Sequence, residues 1–471
     1  MSLFHSVLSR REFMKGLGIT GAGVAATAVS APVFHDLDEL AASVDHPTNP
    51  WWVKQRDYED ITSEIDWKVF QQWDKKNNNI PPPSAENIAM RAERDYNYDK
   101  EGLVQKIPGR DRRSYALGAM VTGLQTAPAW DGTADLADAS QTTFAEGEVP
   151  IWEDTPENNL QTMRAAIHYM GSNNVGAIEL NEHMLRIFDK DAVIFEDIAK
   201  GFQDSDKVYH IPSSCKWMVT CSIQQNYTHC TYQLREDPEN YPGKLGLPNS
   251  LGRPAIHRAY GDGRYVDWML QRFINKLGYQ AYKAGVTANV ALGIFSGLGE
   301  QGRATYMMTP RSGLMTRITN YWITDLPLSP TKPIDFGGTK FCETCGRCSE
   351  KCPSEALGAQ KEPTWEYSKG NRPGYKGWRV DWEKCVGMGA PGRCGVCHTL
   401  CPFNHPNDGT VHPLVRSVSC ITPVFNSFFS GMDRQFGYGQ PKTYDELNDW
   451  WIRDLNAYKA DVIHGAGTYN W

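Results

Sequence analysis

Cys342-Glu343-Thr344-Cys345-Gly346-Arg347-Cys348-Ser349-Glu350-Lys351-Cys352-Pro353 is the stretch on which the reading of this chain turns. Its CxxCxxCxxxCP spacing is that of bacterial iron–sulfur ligation. Cys394, Cys397, Cys401 and Pro402 repeat the last three ligands and the proline, with Cys385 upstream of them. Two CxxC turns gather three sulfurs at one cluster, and the fourth cysteine, three residues on and followed by proline, ligates the neighbouring one. That crossover places Cys342, Cys345 and Cys348 with Cys401 on one four-iron, four-sulfur cluster. Cys385, Cys394 and Cys397 then share a second with Cys352.

Two other chemistries compete for these cysteines. CxxC pairs also build tetrahedral zinc sites, but two runs that each close with Cys-Pro fit clusters better. Cys394-Gly395-Val396-Cys397-His398 spells CxxCH, which by itself reads as a c-type haem attachment; haem there would take two of the ligands and strand the rest. Cys215, Cys221, Cys230 and Cys420 stand outside the runs. Export would permit a disulfide among them, but buried free thiols are the expected state.

At the other end, Ser9-Arg10-Arg11-Glu12-Phe13-Met14-Lys15 precedes a Gly/Ala-rich apolar stretch that runs from Gly16 to about Ala31. This reads as a twin-arginine export signal. It is short and weakly apolar against the ~20 residues of a membrane span. Twin-arginine export carries proteins already folded, which suits a chain whose clusters are assembled first. Gly16, Gly18 and Gly21 match GxGxxG, but no strand precedes them, so no dinucleotide site is expected there. A formal charge of −7 without a basic block argues against nucleic acid as a partner. No later apolar run is long enough to span a membrane, so membrane association of the exported protein requires a partner.

A chain of 471 residues has room for two or three packed units. The divisions expected are the signal at 1–31, an N-terminal unit at 32–154 packed around Trp51, Trp52, Trp67 and Trp73, and a mixed α/β core at 155–330. The two-cluster module follows at 331–405. A C-terminal segment at 406–471 carries Trp450, Trp451 and Trp471. Within the core, 217–223 reads as a buried strand. Val266, Met269, Leu270, Phe273, Ile274 and Leu277 fall at helical spacing, and Gly278 is placed to end that helix. A helix at 290–295 leads into Ser296-Gly297-Leu298-Gly299-Glu300-Gln301-Gly302-Arg303, a weak GxGxxG because a helix precedes it. Residues 314–324 alternate like a strand, and Pro327, Pro330 and Pro333 mark a linker into the cluster region.

The twin-arginine segment, the long α/β region and a two-cluster ferredoxin module near the C-terminus together resemble the corrinoid-dependent reductive dehalogenases of organohalide-respiring bacteria. The resemblance is carried further by Leu277-Gly278-Tyr279, by Gly297-Leu298-Gly299-Glu300 with Arg303, and by Thr324-Asp325-Leu326-Pro327-Leu328 leading to Phe336-Gly337 and Phe341-Cys342. It implies an α/β (α+β) fold, with a nitroreductase-like corrinoid-binding core, a bacterial two-cluster ferredoxin module, and N- and C-terminal additions. The implied cofactors are two [4Fe-4S] clusters and a cobalamin-type corrinoid bound base-off. Asp45-His46 is followed by Pro47-Thr48-Asn49 and not by the DHxxG pattern, so no histidine ligand to cobalt is evident.

The implied reaction is reductive replacement or elimination of halogen from an organohalide by Co(I) corrinoid. Electrons would enter at the distal cluster of Cys342, Cys345, Cys348 and Cys401 and pass through the proximal cluster of Cys352, Cys385, Cys394 and Cys397. By the same resemblance Tyr260 supplies the proton, Arg317 holds its phenolate and the halide, and Asn289 is the candidate third pocket residue. A guanidinium beside a phenol stabilises the phenolate left behind. Tyr265 competes with Tyr260 as donor, and His229, His257 and Arg258 are either corrinoid contacts or core polar groups. The implied partners are a halogenated organic substrate, a small integral-membrane anchor at the outer face of the cytoplasmic membrane, and an upstream respiratory electron donor. A homodimer is left open. Two rival readings remain, an exported iron–sulfur electron carrier without corrinoid and an epoxyqueuosine-reductase-like corrinoid enzyme; export argues against the second, because tRNA stays in the cytoplasm.

Overall fold

In the computed structural model the central feature is an antiparallel sheet in the order Val175–Glu179, Trp217–Gln224, Thr316–Thr324, Ala281–Tyr282. The structure describes residues 49–455 except 51, 79–81, 112, 115–150, 173, 287, 389–393 and 406–410. The signal expected at 1–31, the Asp45-His46 pair, Trp51 and Trp471 lie outside the described residues. Both faces of the sheet are covered. Val219, Cys221, Ile223 and Trp322 pack with Met163, Ile167, Val266 and Leu270 from helices Pro156–Tyr169 and Pro254–Lys276. On the other face Met218, Tyr321 and Ile323 pack with Leu292, Ile294 and Phe295 of helix Asn289–Phe295. Trp217–Gln224 is buried on both faces although Thr220 and Ser222 alternate with Val219, Cys221 and Ile223, because helices cover the sheet on either side.

Helix Pro254–Lys276 starts well ahead of its apolar stripe, with Pro254 in its first turn, where a missing N–H costs nothing. Tyr260, which precedes the apolar stripe that begins at Val266, therefore stands inside the helix. The periodicity hid this because Gly261 and Gly263 interrupt it; each costs about 1 kcal/mol relative to alanine in a helix interior. Gly263 lies where the helix meets the sheet, its carbonyl accepting a 2.6 Å bond from Asn320 Nδ2. At the far end Gly278, at φ 99°, stops the helix as expected.

The register of the sheet slips once. Arg317 pairs with Ile223 but Asn320 pairs with Cys221, so the Thr316–Thr324 strand carries one extra residue between them. Such a β-bulge re-aims side chains. Residues three apart in a regular strand face opposite sides. The bulge lets Arg317 and Asn320 both reach helix Pro254–Lys276, Arg317 over Tyr260 and Asn320 onto Gly263 and Asp267. Asp267 is also paired with Lys283.

The cysteine region is built on a second core of Ile334, Phe336, Phe341, Leu357, Val380 and Phe403, completed by Trp52, Ala304, Met308 and Leu314 from earlier in the chain. The proline stretch at 327–333 is not a loose linker. Leu326 and Leu328 are buried, and Thr331 Oγ1 donates to Ser296 O at 2.6 Å and accepts from Ala177 N at 3.0 Å, so the segment is strapped to the sheet. Its prolines signal the loss of strand pairing, and its buried leucines supply the attachment. Near the C-terminus, Leu447 packs with Tyr232 and Leu251, while Trp450 meets the His229 ring edge-on at 4.8 Å.

Candidate active site

The eight thiols of the cysteine runs fall into two sets. Burial raises every one whose shift is resolved, to about 12 at Cys385 and Cys401 and about 11 at Cys394, and upward also at Cys342, Cys348 and Cys397. The thiols then act on one another. Cys342 is pushed up by Cys401 and Cys345, Cys401 by Cys345, and Cys348 by Cys342, Cys345 and Cys401. Cys385 feels Cys394 and Cys352, Cys394 feels Cys352, and Cys397 feels Cys394, Cys385 and Cys352. These influences group the thiols as they would be grouped if the ligands cross over. Cys348 and Cys397 are the point where the sets meet. Crowded, buried thiols stay protonated unless a cation takes them as thiolates, which is what iron does.

The helices that present the thiols are short, and sequence features far from the runs hold them. Cys342 and Cys345 sit on helix Gly338–Cys345, which ends at Gly346 with φ 67°, so that helix Arg347–Glu350 can turn back and bring Cys348 round. The N-terminus of the first helix is held by Glu300. Its buried carboxyl accepts from the N–H groups of Phe336 at 2.5 Å, Gly338 at 3.3 Å and Thr339 at 3.0 Å. Arg303 bonds the Cys342 carbonyl through Nε at 3.1 Å and Nη2 at 2.8 Å, and its backbone N–H lies 3.4 Å from Cys342 Sγ. The Gly297–Arg303 turn, a weak dinucleotide motif by sequence, is therefore a clamp on the cysteine helix.

Tyr260 and Arg317 meet. The Arg317 guanidinium carbon lies 5.6 Å from the Tyr260 ring centroid and 5.7 Å from that of Tyr306. Its Nη1 reaches the ring of His398, 2.9 Å from Nδ1 and 3.2 Å from Nε2. His398 Nδ1 is 2.7 Å from the Leu314 carbonyl, so we assign the ring proton to Nδ1, which leaves Nε2 as the acceptor for Arg317. Burial and the Arg317 charge hold His398 well below the usual histidine range, so it is neutral. The histidine of the CxxCH motif thus supports an arginine. Tyr306 stacks obliquely on it at 4.4 Å; burial, then Cys397, pushes the Tyr306 phenol up, with Arg317 pulling the other way.

Tyr306 and His398 were not singled out as site residues from the sequence. Tyr306 follows the Gly297–Arg303 turn with no motif of its own, and His398 was weighed only as part of a haem signature. Asn289, first residue of helix Asn289–Phe295, has a buried Oδ1 without a partner, and no described contact joins it to Tyr260 or Arg317. His229 is a core group whose Nδ1 lies 2.7 Å from the Leu251 carbonyl, and Arg258 pairs with Asp262 at 3.4 Å. Tyr265 is half exposed on the same helix as Tyr260. Cys215, Cys221, Cys230 and Cys420 are free and buried, and burial raises Cys215 and Cys230 to about 12 and Cys420 to about 11.

Comparison with known proteins bears on the cysteine region and on the family. Residues 341–404 match the family model of the 4Fe-4S double cluster binding domain. Over 98% of its length the chain is 31% identical to a chloroethene reductive dehalogenase of Dehalococcoides mccartyi strain VS, covering 99% of that protein. It is 30% identical, over the same shares, to a trichloroethene reductive dehalogenase of another strain of that species. Among solved structures, a catabolic reductive dehalogenase in complex with 3-bromo-4-hydroxybenzoic acid superposes with a TM-score of 0.53 at 20% identity, covering 85% of this chain and 50% of that one. A second, described as bearing on B12-dependent dehalogenation, gives 0.54 at 19% identity and covers 88% and 53%. The chain thus spans about half the length of these solved relatives, whose likeness is one of fold. With its near full-length match to two curated relatives at 30% identity or better, the chain belongs to the reductive dehalogenase family.

Proposed function

We propose that this chain is the catalytic subunit of a reductive dehalogenase in which electrons pass from the distal to the proximal cluster and on to a base-off corrinoid, where an organohalide loses its halogen. The observation that carries the reading is the junction between core and cysteine module. Arg317, beside Tyr260, contacts His398, and the neighbouring residue Cys397 belongs to the proximal thiol set. A group that receives electrons there would stand next to a proton donor.

The residues present fit a corrinoid, whose rim carries amide groups in need of partners. Both amide atoms of Gln225 and Nε of Arg317 are buried without a hydrogen-bond partner, as is Oδ1 of Asn289. The Gln225 backbone N–H bonds the Met315 carbonyl at 2.9 Å, which sets this side chain at the start of the strand that bears Arg317. When bound, a corrinoid supplies the low-potential metal centre that cleaves the carbon–halogen bond. Replacement consumes two electrons and one proton and releases halide. Tyr260 gives its hydroxyl proton to the carbon, Arg317 stabilises the resulting phenolate and holds the departing halide, and His398 fixes Arg317. Asn289 is the third polar residue assigned to the pocket.

The names of the curated relatives support chlorinated ethenes as the first substrates to try. The Arg10-Arg11 segment supports export by the twin-arginine route and a role as terminal reductase of organohalide respiration. Among the described residues no helix is long and apolar enough to cross a membrane, in keeping with peripheral attachment through a small membrane anchor protein. The test is halide release from chlorinated ethenes and halogenated phenols by purified, corrinoid-loaded protein with a reduced low-potential dye. About one cobalt and about eight irons per chain with halide release are expected. Iron without cobalt or halide would favour the electron-carrier reading.

A further inference from the structure

Gln233 is a buried amide without a hydrogen bond. Its side chain is 1% exposed, and neither Nε2 nor Oε1 has a partner. Its backbone is in order, with the N–H bonded to Cys230 O at 3.0 Å. An unpaired amide in an apolar setting is costly, and natural cores seldom keep one unless something else pairs with it.

The position of the amide says what that partner is. A Cβ at Gly395 would collide with the Gln233 amide, meeting Oε1 first, with Cδ at 2.7 Å and Nε2 at 2.8 Å, so both amide atoms lie against this glycine. Gly395 lies between Cys394 and Cys397, two thiols of the proximal set. The glutamine is also held from behind, since a Cβ at Gly252 would come within 2.7 Å of its Cγ. Thr399 Oγ1 ties the same two segments together, 3.0 Å from both Cys230 O and Gly395 O. Leu234, Val396 and Leu400 pack beside them, with Cys394 against that group. The amide is therefore fixed over the loop that carries two cluster ligands.

We propose that Gln233 Nε2 donates a hydrogen bond to a sulfur of the proximal cluster and sets its reduction potential. Hydrogen bonds to the sulfurs are one of the means by which a protein tunes such a cluster. A donor stabilises the reduced form, which carries one more negative charge, and so raises the potential. The bare glycine at 395 is what lets the amide approach, and removing the amide should leave the distal cluster alone. Gln233 is a positioning and tuning residue, since it holds no iron itself. The proposal rests on the double-cluster domain and not on dehalogenation, because the potential is read with no organohalide present.

The experiment is a redox titration of the cluster-loaded full chain, followed by electron paramagnetic resonance, on wild type, Gln233→Leu and Gln233→Glu. Leucine keeps much of the volume and has no donor; glutamate keeps the shape and puts an acceptor where the donor was. The proximal potential should fall in Gln233→Leu by an amount equivalent to about tenfold weaker stabilisation of the reduced form, about 59 mV for one electron. It should fall further in Gln233→Glu, and the distal potential should stay in place. An unchanged proximal potential in variants with full iron overturns the proposal, as does an equal shift of both clusters. If Gln233→Leu fails to keep its iron, Gln233→Glu decides by the same titration.

Discussion

The double-cluster segment takes all its ligands from one stretch, 342–401, whereas the Tyr260 corner is assembled from a helix, a strand end, a loop and the cluster segment itself. The difference is one of what holds each together. Burial, and then the neighbouring thiols, push Cys342, Cys348 and Cys397 above the usual thiol range, which favours their protonated form until iron binds. The corner around Tyr260 and Arg317 is held by hydrogen bonds and ring contacts that the chain makes within itself. Metal loss should therefore unmake the first region first and reach the second only through His398, which adjoins Cys397.

The largest effect expected is from Cys397→Ser. The variant should lose the proximal cluster, with iron falling from about eight to about four per chain, and turnover should vanish while the distal cluster still reduces. A variant with full iron would break the assignment of Cys397 to the proximal set. Tyr260→Phe probes the other region. Iron and cobalt should stay at wild-type content while halide release drops by about 10²–10⁴-fold, the usual worth of a positioned general acid. Turnover near wild type would remove Tyr260 from the mechanism.

The two regions also differ in how far the sequence reveals them. The two cysteine runs could be read from spacing, because within each the ligands lie close in the chain. The strand read at 217–223, the helix at 290–295 and the stop at Gly278 were legible for the same reason. The Tyr260 corner was reached only through family resemblance, and then without Tyr306 or His398, since nothing local marks a contact between residues so distant in the chain. The bulge between Arg317 and Asn320 was hidden too: an extra residue in a strand leaves no sign in an apolar pattern that is already interrupted. Gly261 and Gly263 hid the start of helix Pro254–Lys276 in the same way, since glycine interrupts the apolar pattern, and the bond from Asn320 to the Gly263 carbonyl is invisible until the sheet is in place.

That bulge gives the next test. Asn320 Nδ2 donates to Gly263 O at 2.6 Å and to Asp267 Oδ1 at 2.9 Å, and both acceptors lie in a buried setting. Asn320→Ala should cost about 1–3 kcal/mol of stability by leaving buried acceptors short of a donor. Because the bulge aims Arg317, turnover should fall as well, with iron content unchanged. A denaturant midpoint equal to wild type would show that Asn320 does not anchor the bulge.

The smallest effect, and the one that sharpens the comparison, concerns Glu300, which belongs to the core by sequence but serves the cysteine helix. Burial, and then the nearby Asp335 charge, raises its carboxyl above the ordinary value, while the Thr339 and Phe336 N–H groups pull it back. With the folded value above the unfolded one, the native chain keeps a proton that the unfolded chain has already lost. The stability from that proton is full below the unfolded carboxylate value of about 4.3 and is lost as pH rises through the raised folded value. An amide cannot titrate, so in Glu300→Gln this part of the pH dependence disappears. The difference in unfolding free energy, wild type minus variant, should therefore fall as pH rises across that window. A difference that stays flat with pH would mean that the carboxyl is ionised in both states, held by the three N–H groups despite its burial. The cysteine helix would then begin on a fixed negative charge close to the distal thiols, which would disfavour electron entry there.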